Sequence, residues 1–392
     1  MVLTILLIII YLSFISLGLP DSLLGSAWPS MYVRMGVPVS YAGIVSMIVA
    51  GGTIIASFFS EKIIRRLGTG KVTVISVSMT AVALFGVSVS RNFFELCIWA
   101  VPLGLGAGSV DAALNNYIAL HYKAKHMSWL HCFWGIGATT GPVIMSYCLQ
   151  YGGRWNQGYL TIGIIQFCLV AVLFLSLPLW KKVGEESAQL EETPKSSLKL
   201  GELLKLPGAK PALVSFFCYC SLEATAGLWG SSYLVIVKGI AAETAAKWIS
   251  LFYFGITFGR FLSGFITMKL NQRQMIRLGQ AILACGVMLL LLPFGSLLLL
   301  AGFFLIGLGC APIYPSLLHE TPVNFGSEHS QAIMGIQMAC AYVGTTFMPL
   351  LFGMLAVHIS YTLFPIYLGI LLLLMIAMVE ALHKRVGVSD ER

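Results

Sequence analysis

The sequence predicts an all-α membrane protein of twelve transmembrane helices arranged as two six-helix bundles. Three observations carry that prediction. Apolar residues make up 58% of the 392 and charged residues only 10%, whereas a soluble globular domain carries about 25% charged residues. Runs long enough to cross hydrocarbon, about 20 apolar residues each, recur twelve times along the chain. The two halves also repeat: Gly104 and Gly106 return as Gly307 and Gly309, 203 positions on, and Asp21 with Gly25 returns as Glu223 with Gly227. A parallel repeat with an even helix count predicts two bundles related by an axis along the membrane normal.

The predicted spans are 2–33, 39–60, 72–90, 93–122, 128–151, 156–180, 208–238, 243–268, 274–292, 296–319, 328–357 and 360–382. The first is apolar from Val2 with no basic region ahead of it, as expected of a spanning helix rather than a cleaved leader. Gly18 and Pro20 are expected to interrupt it just before Asp21, and Pro312 and Pro315 to interrupt the tenth. Breaks at corresponding depths in two halves point to a binding site. Trp28, near the far end of the first helix, is expected in an interfacial aromatic belt. The fourth and fifth helices fold back around a short basic turn from Lys123 to His126.

Segment 181–207 is the one long polar stretch and reads as a solvated linker between residues 1–180 and 208–392. Eighteen of the 24 Lys and Arg fall in one set of loops, which places both termini in the cytoplasm. The net charge of +8 is thus loop-bound and implies no nucleic-acid partner. The lipid bilayer and a small molecule are the expected partners, and a monomer the expected state. Nine scattered cysteines read as free and buried. No Asn-x-Ser/Thr site occurs, in keeping with a bacterial inner membrane.

Chemistry concentrates in the fourth and fifth helices. Asp111 and Asn115, four apart, share one helical face, as do His131 and Trp134 at three apart. Equal distance from the turn sets Asp111 level with Trp134 and Asn115 level with His131. A charge near the bilayer centre costs at least about 2.5–3.5 kcal/mol by insertion scales, so such a residue is a functional candidate by default. The same reasoning singles out Asp21 and its repeat-mate Glu223. An indole beside polar groups suits a sugar, whose apolar ring face can lie on it. In the second half Tyr314 falls opposite Asp111 in the repeat, and Gln337 in the eleventh helix is a further cavity candidate.

The segments GLPDSLLGSAWP, SVDAALNNY and HMSWLHCFWGIGATTGP resemble the fucose-permease branch of the major facilitator superfamily, with its sodium-dependent glucose-transporter relatives. The resemblance covers the whole chain. It implies alternating-access transport of a sugar, with Asp21 and Asp111 handling a coupling cation, H+ or Na+, and with Asn115, His131 and Trp134 near the sugar. No other cofactor or metal is implied. Arg260, in GITFGRFLSGF, resembles the superfamily's gating motif and is expected to pair with an acid such as Glu320. The basic residue that proton-driven members carry before the GxG pair is absent, Ala100 standing there. Cation-coupled uptake of a neutral sugar is the leading expectation, with a proton preferred to sodium. An exporter of amphipathic drugs would want fewer amides in its cavity, and a transporter-like sensor a soluble output domain. An enzyme is not expected, because no nucleophile–base pair stands out.

Overall fold

The computed structural model describes residues 2–122, 124–186, 200–292 and 295–386. These form α1 (Val2–Asp21), α2 (Leu23–Met35), α3 (Tyr41–Leu67), α4 (Thr69–Val89), α5 (Phe93–His121), α6 (Ala124–Gly152) and α7 (Trp155–Glu186). There follow α8 (Leu200–Leu203), α9 (Ala209–Ile236), α10 (Ala242–Ile266), α11 (Gln272–Leu291), α12 (Ser296–Phe325) and α13 (Ser327–His358). A 3₁₀ turn, Tyr361–Leu363, then leads into α14 (Phe364–Val386). Counting α1 and α2 as halves of one helix, twelve long helices occur among the described residues, as the sequence predicts. Ten helical stretches are long and apolar enough to cross a membrane, while α3 has only a shorter apolar run, Tyr41–Ser57. Lys123 of the predicted turn and 187–199 of the predicted linker lie outside the described residues.

Helix ends follow local chemistry. The Asn92 side chain accepts from the Glu95 N–H at the start of α5. Asn271 and Gln274 form a capping box at the start of α11, satisfying donors a helix N-terminus leaves open. α2 ends at Gly36, whose φ of 64° is a left-handed conformation glycine adopts freely. α3 runs on to Leu67, past the predicted 60, because its charged last turns favour helix even where they leave the hydrocarbon.

The chain divides into two compact units: Met1–Leu190 with Leu228–Tyr253, and Glu191–Gly227 with Phe254–Arg392. The first thus takes in a segment beyond the split at 181–207, where Ser146 Oγ donates to the Glu243 carbonyl at 2.7 Å. Within it α1 packs chiefly on α6, α3 on α5, and α4 on α5 and α7. Its core joins Leu6, Ile10 and Phe14 of α1 to Val110 and Leu114 of α5 and Leu130 of α6. In the second unit α11 and α12 form the main pair. Without a hydrophobic force between helices in lipid, close packing decides these pairs, and small residues permit it. A Cβ on Gly309 would lie 2.5 Å from the Leu283 backbone, and one on Gly104 2.1 Å from the Val49 carbonyl.

Three expectations are corrected. α12 runs unbroken through Pro312 and Pro315. A proline removes one helical hydrogen bond, and close neighbours can hold a spanning helix continuous across it. Trp28 is fully buried, its indole N–H donating to the Val39 carbonyl at 2.6 Å, so it closes the α2–α3 connection instead of sitting in a belt. All nine cysteines are free, but Cys168 and Cys285 are exposed.

Candidate functional site

The first unit builds its site on a broken helix. Pro20 has no N–H, so the Ser16 carbonyl four residues earlier lacks its helical donor. Gln166 of α7 supplies one: its Nε2 donates to Ser16 O at 2.8 Å, and its Oε1 accepts from Thr80 Oγ1 of α4 at 2.7 Å. The helix stops at Asp21, passes through Ser22 and restarts at Leu23. The predicted break in the first helix is therefore present, displaced one residue past Asp21.

Backbone contact between α1 and α6 sets the geometry of the acid at that break. A Cβ on Gly18 would lie 2.1 Å from the Trp134 carbonyl, and one on Gly137 2.0 Å from the Ile15 carbonyl. On Gly141 it would lie 2.5 Å from the Leu19 carbonyl. Three glycines thus let the two helices touch main chain to main chain. At that approach Trp134 Nε1 donates to Asp21 Oδ2 at 2.7 Å. Asp21 is exposed although it lies mid-way along a 33-residue apolar stretch.

On α5, Val110 and Leu114 face the core, and one position further round stand half-buried Asp111 and Asn115. They share a face as predicted: Asn115 Nδ2 donates to Asp111 Oδ1 at 2.9 Å and to the Asp111 carbonyl at 3.0 Å. Asp111 and Asp21 lie within electrostatic reach of each other. His131 stands edge-on to Phe14, ring centres 6.0 Å apart. The indole bonds to Asp21, whereas the hairpin depth rule set it level with Asp111. The reason is that α6 packs mainly against α1, and only slightly against α5. Each acid therefore has one oxygen held by a neutral donor, and among the described residues no Lys, Arg or His is ion-paired with either.

The second unit holds a different cluster. The Tyr219 hydroxyl, one turn before Glu223 on α9, donates a short hydrogen bond to its carboxylate. The Tyr314 ring lies 5.9 Å from that of Tyr219 and 5.0 Å from that of Phe216, with its hydroxyl toward Met338 Sδ at 3.5 Å. Arg260 and Glu223 both act electrostatically on Tyr219 and Cys310. Gln337 is buried and accepts from Thr321 Oγ1 at 3.0 Å. Glu320 is buried against His383, Oε2 to Nε2 at 3.1 Å, and lies ten residues from Cys310, about 15 Å along α12.

Sequence reasoning missed Tyr219, Gln166 and the glycine contact. Tyr219 was signalled by its i, i+4 spacing from Glu223, and the contact by the small-xxx-small run Gly137 to Gly141. Gln166, a lone amide in an apolar helix, had no local partner to reveal it.

Ten long apolar helical stretches, a break in the first at Asp21 and carboxyl groups set along them define a polytopic membrane protein. The sequence model of the Major Facilitator Superfamily matches residues 10–319 and again 239–388, and the chain belongs to that family. It is 20% identical over 353 residues to the glucose/mannose transporter GlcP of Bacillus subtilis (strain 168), covering 88% of this chain and 86% of that one. Bypass of stop codon protein 6 of Saccharomyces cerevisiae is 25% identical over 290 residues, 67% of this chain, which spans only 56% of the yeast protein's length. A bacterial homologue of the human lysosomal transporter Spinster, crystallised in an inward-facing and occupied conformation, shares the fold. Its TM-score is 0.66 at 12% identity, covering 98% of this chain and 95% of that one.

Proposed function

We propose that this protein takes up a neutral sugar by alternating access in symport with a proton, in the cytoplasmic membrane of a bacterium with both termini inside. The observation that carries the reading is the hydrogen bond from Trp134 Nε1 to Asp21 Oδ2 at 2.7 Å. It joins an acid able to exchange a proton to an aromatic face able to hold a sugar ring. A bond to an ionised carboxylate is charge-assisted and weakens once the acid is neutral. Protonation of Asp21 then frees the indole N–H for a sugar hydroxyl, and by linkage each binding event favours the other. Asp111, with one oxygen held by Asn115, is the second proton-handling acid, and His131 lies within the same neighbourhood. Glu223 with Tyr219 is the corresponding acid of the second unit, with Tyr314 and Gln337 as hydrogen-bonding groups. The similarity to a glucose/mannose transporter supports a monosaccharide as the substrate.

Uptake into proteoliposomes with an imposed pH gradient and no sodium tests this. Wild-type protein should accumulate monosaccharide, and Asp111→Asn, whose amide mimics a protonated acid, should exchange sugar without accumulating it. Accumulation that appears only with a sodium gradient refutes the proton, and wild-type accumulation by Asp111→Asn removes that acid from coupling.

A further inference from the structure

We propose that the first unit carries, at the end opposite its Lys- and Arg-rich loops, a binding groove for an anionic phospholipid whose phosphate is held by Arg34 and Arg154. A cavity of ≈ 380 Å³ lies there, and its lining combines Arg34, Arg154 and Gln157 with Phe85, Val89 and Leu160. The elements converge by topology: Arg34 is in the last turn of α2, Phe85 and Val89 close α4, and Arg154 stands in the short link from α6 to α7. Gly153, at φ 61°, makes the left-handed turn that presents Arg154. Asn156 Nδ2 donates to the Ser88 carbonyl at 2.7 Å, which pins the start of α7 to the end of α4 and fixes the mouth of the groove.

Charge at this end is scarce, since only five of the chain's 24 Lys and Arg are predicted there and two of them line this one cavity. Neither guanidinium has an ion-pair partner among the described residues. Arginine remains charged at any physiological pH and presents a fork that fits phosphate oxygens. Phe85, Val89 and Leu160, which line the same cavity, are exposed. Cationic forks beside exposed apolar side chains, at helix ends, match a phospholipid's own division into phosphate and acyl chain. A free anion would have no use for the apolar side chains. Basic pockets between spanning helices hold such headgroups on the cytoplasmic side of other membrane proteins.

The test is lipid binding by native mass spectrometry of the purified full chain, titrated with phosphatidylglycerol, phosphatidylcholine or inorganic phosphate. Wild-type protein should prefer phosphatidylglycerol. Each arginine near a membrane surface contributes about fivefold, so Arg34→Gln with Arg154→Gln should weaken that binding about 30-fold. Arg91→Gln, at the same end but outside the cavity, should leave it intact, and lysine at both positions should restore part of it. Thermal unfolding in phosphatidylcholine should be the same for all variants, so that a loss of binding is not a loss of fold. Unchanged phosphatidylglycerol binding in the double glutamine variant overturns the proposal, as does an equal loss with Arg91→Gln. Inorganic phosphate binding as tightly as the lipid would also overturn it and mark a free-anion site.

Discussion

Trp134 offers the sharpest test of the coupling scheme, because its ring and its N–H can be removed separately. Trp134→Phe deletes the donor that reaches Asp21 Oδ2 at 2.7 Å and keeps an aromatic face. In wild-type protein sugar should bind more tightly as pH falls, since the protonated acid releases the indole N–H to the sugar. A neutral hydrogen bond is worth about 0.5–1.5 kcal/mol net, or about 2- to 13-fold in affinity. The phenylalanine variant should therefore match wild type at high pH and bind about 2- to 13-fold more weakly at low pH, flattening the pH dependence. Trp134→Ala should lose a further 1–3 kcal/mol or so at both pH values, through the missing stacking surface. Dissociation constants from thermal shift or intrinsic fluorescence, taken across the pH range, read both effects. A phenylalanine variant that keeps the wild-type pH ratio refutes the link between indole and acid. Equal affinity in the alanine variant and wild type refutes the stacking surface. A double-mutant cycle of Trp134→Phe with Asp21→Asn should show an interaction energy of about 0.5–3 kcal/mol, as expected for groups in direct contact.

Other outcomes follow from packing. Gly137→Ala should lower the melting temperature in detergent, with a cost of about 1–3 kcal/mol, because its Cβ would lie 2.0 Å from the Ile15 carbonyl. Gly51→Ala meets nothing within 4 Å and should be neutral or stabilising by up to about 1 kcal/mol in the same melt. Glu320→Leu should cost about 1–3 kcal/mol by orphaning buried His383, whose Nδ1 already has no partner among the described residues. His383→Leu added to it should recover much of that loss, and a double variant no better than the single one would show that the pair is not what holds α12 to α14.

Helix number, the break near Asp21 and the shared face of Asp111 and Asn115 were legible because each follows from local chemistry: hydropathy, proline geometry and helical spacing. Pairings between distant helices were not. Which helix α6 touches depends on where glycines on both partners coincide, and Gly18 gives no sign in the sequence that it lies against Trp134. The equal-depth rule assumed that sequence neighbours are packing neighbours, which holds poorly for α5 and α6. Glu320 showed the same limit, since its partner His383 lies 63 positions away on α14 and no periodicity links them. Proline was read too strongly at Pro312, where tertiary contact overrides a lost hydrogen bond.

The main-chain contact of α1 with α6 also bears on how such a protein can change its preferences. At Gly18, Gly137 and Gly141 no side chain of any size has room, so variation is barred from the residues that fix the indole beside the acid. New specificity has to come from Asn115 and the rest of that face of α5, whose side chains border the site without supporting that contact. A library that randomises those positions and leaves the three glycines untouched should return many folded proteins with altered ligands. One that randomises the glycines should return almost none.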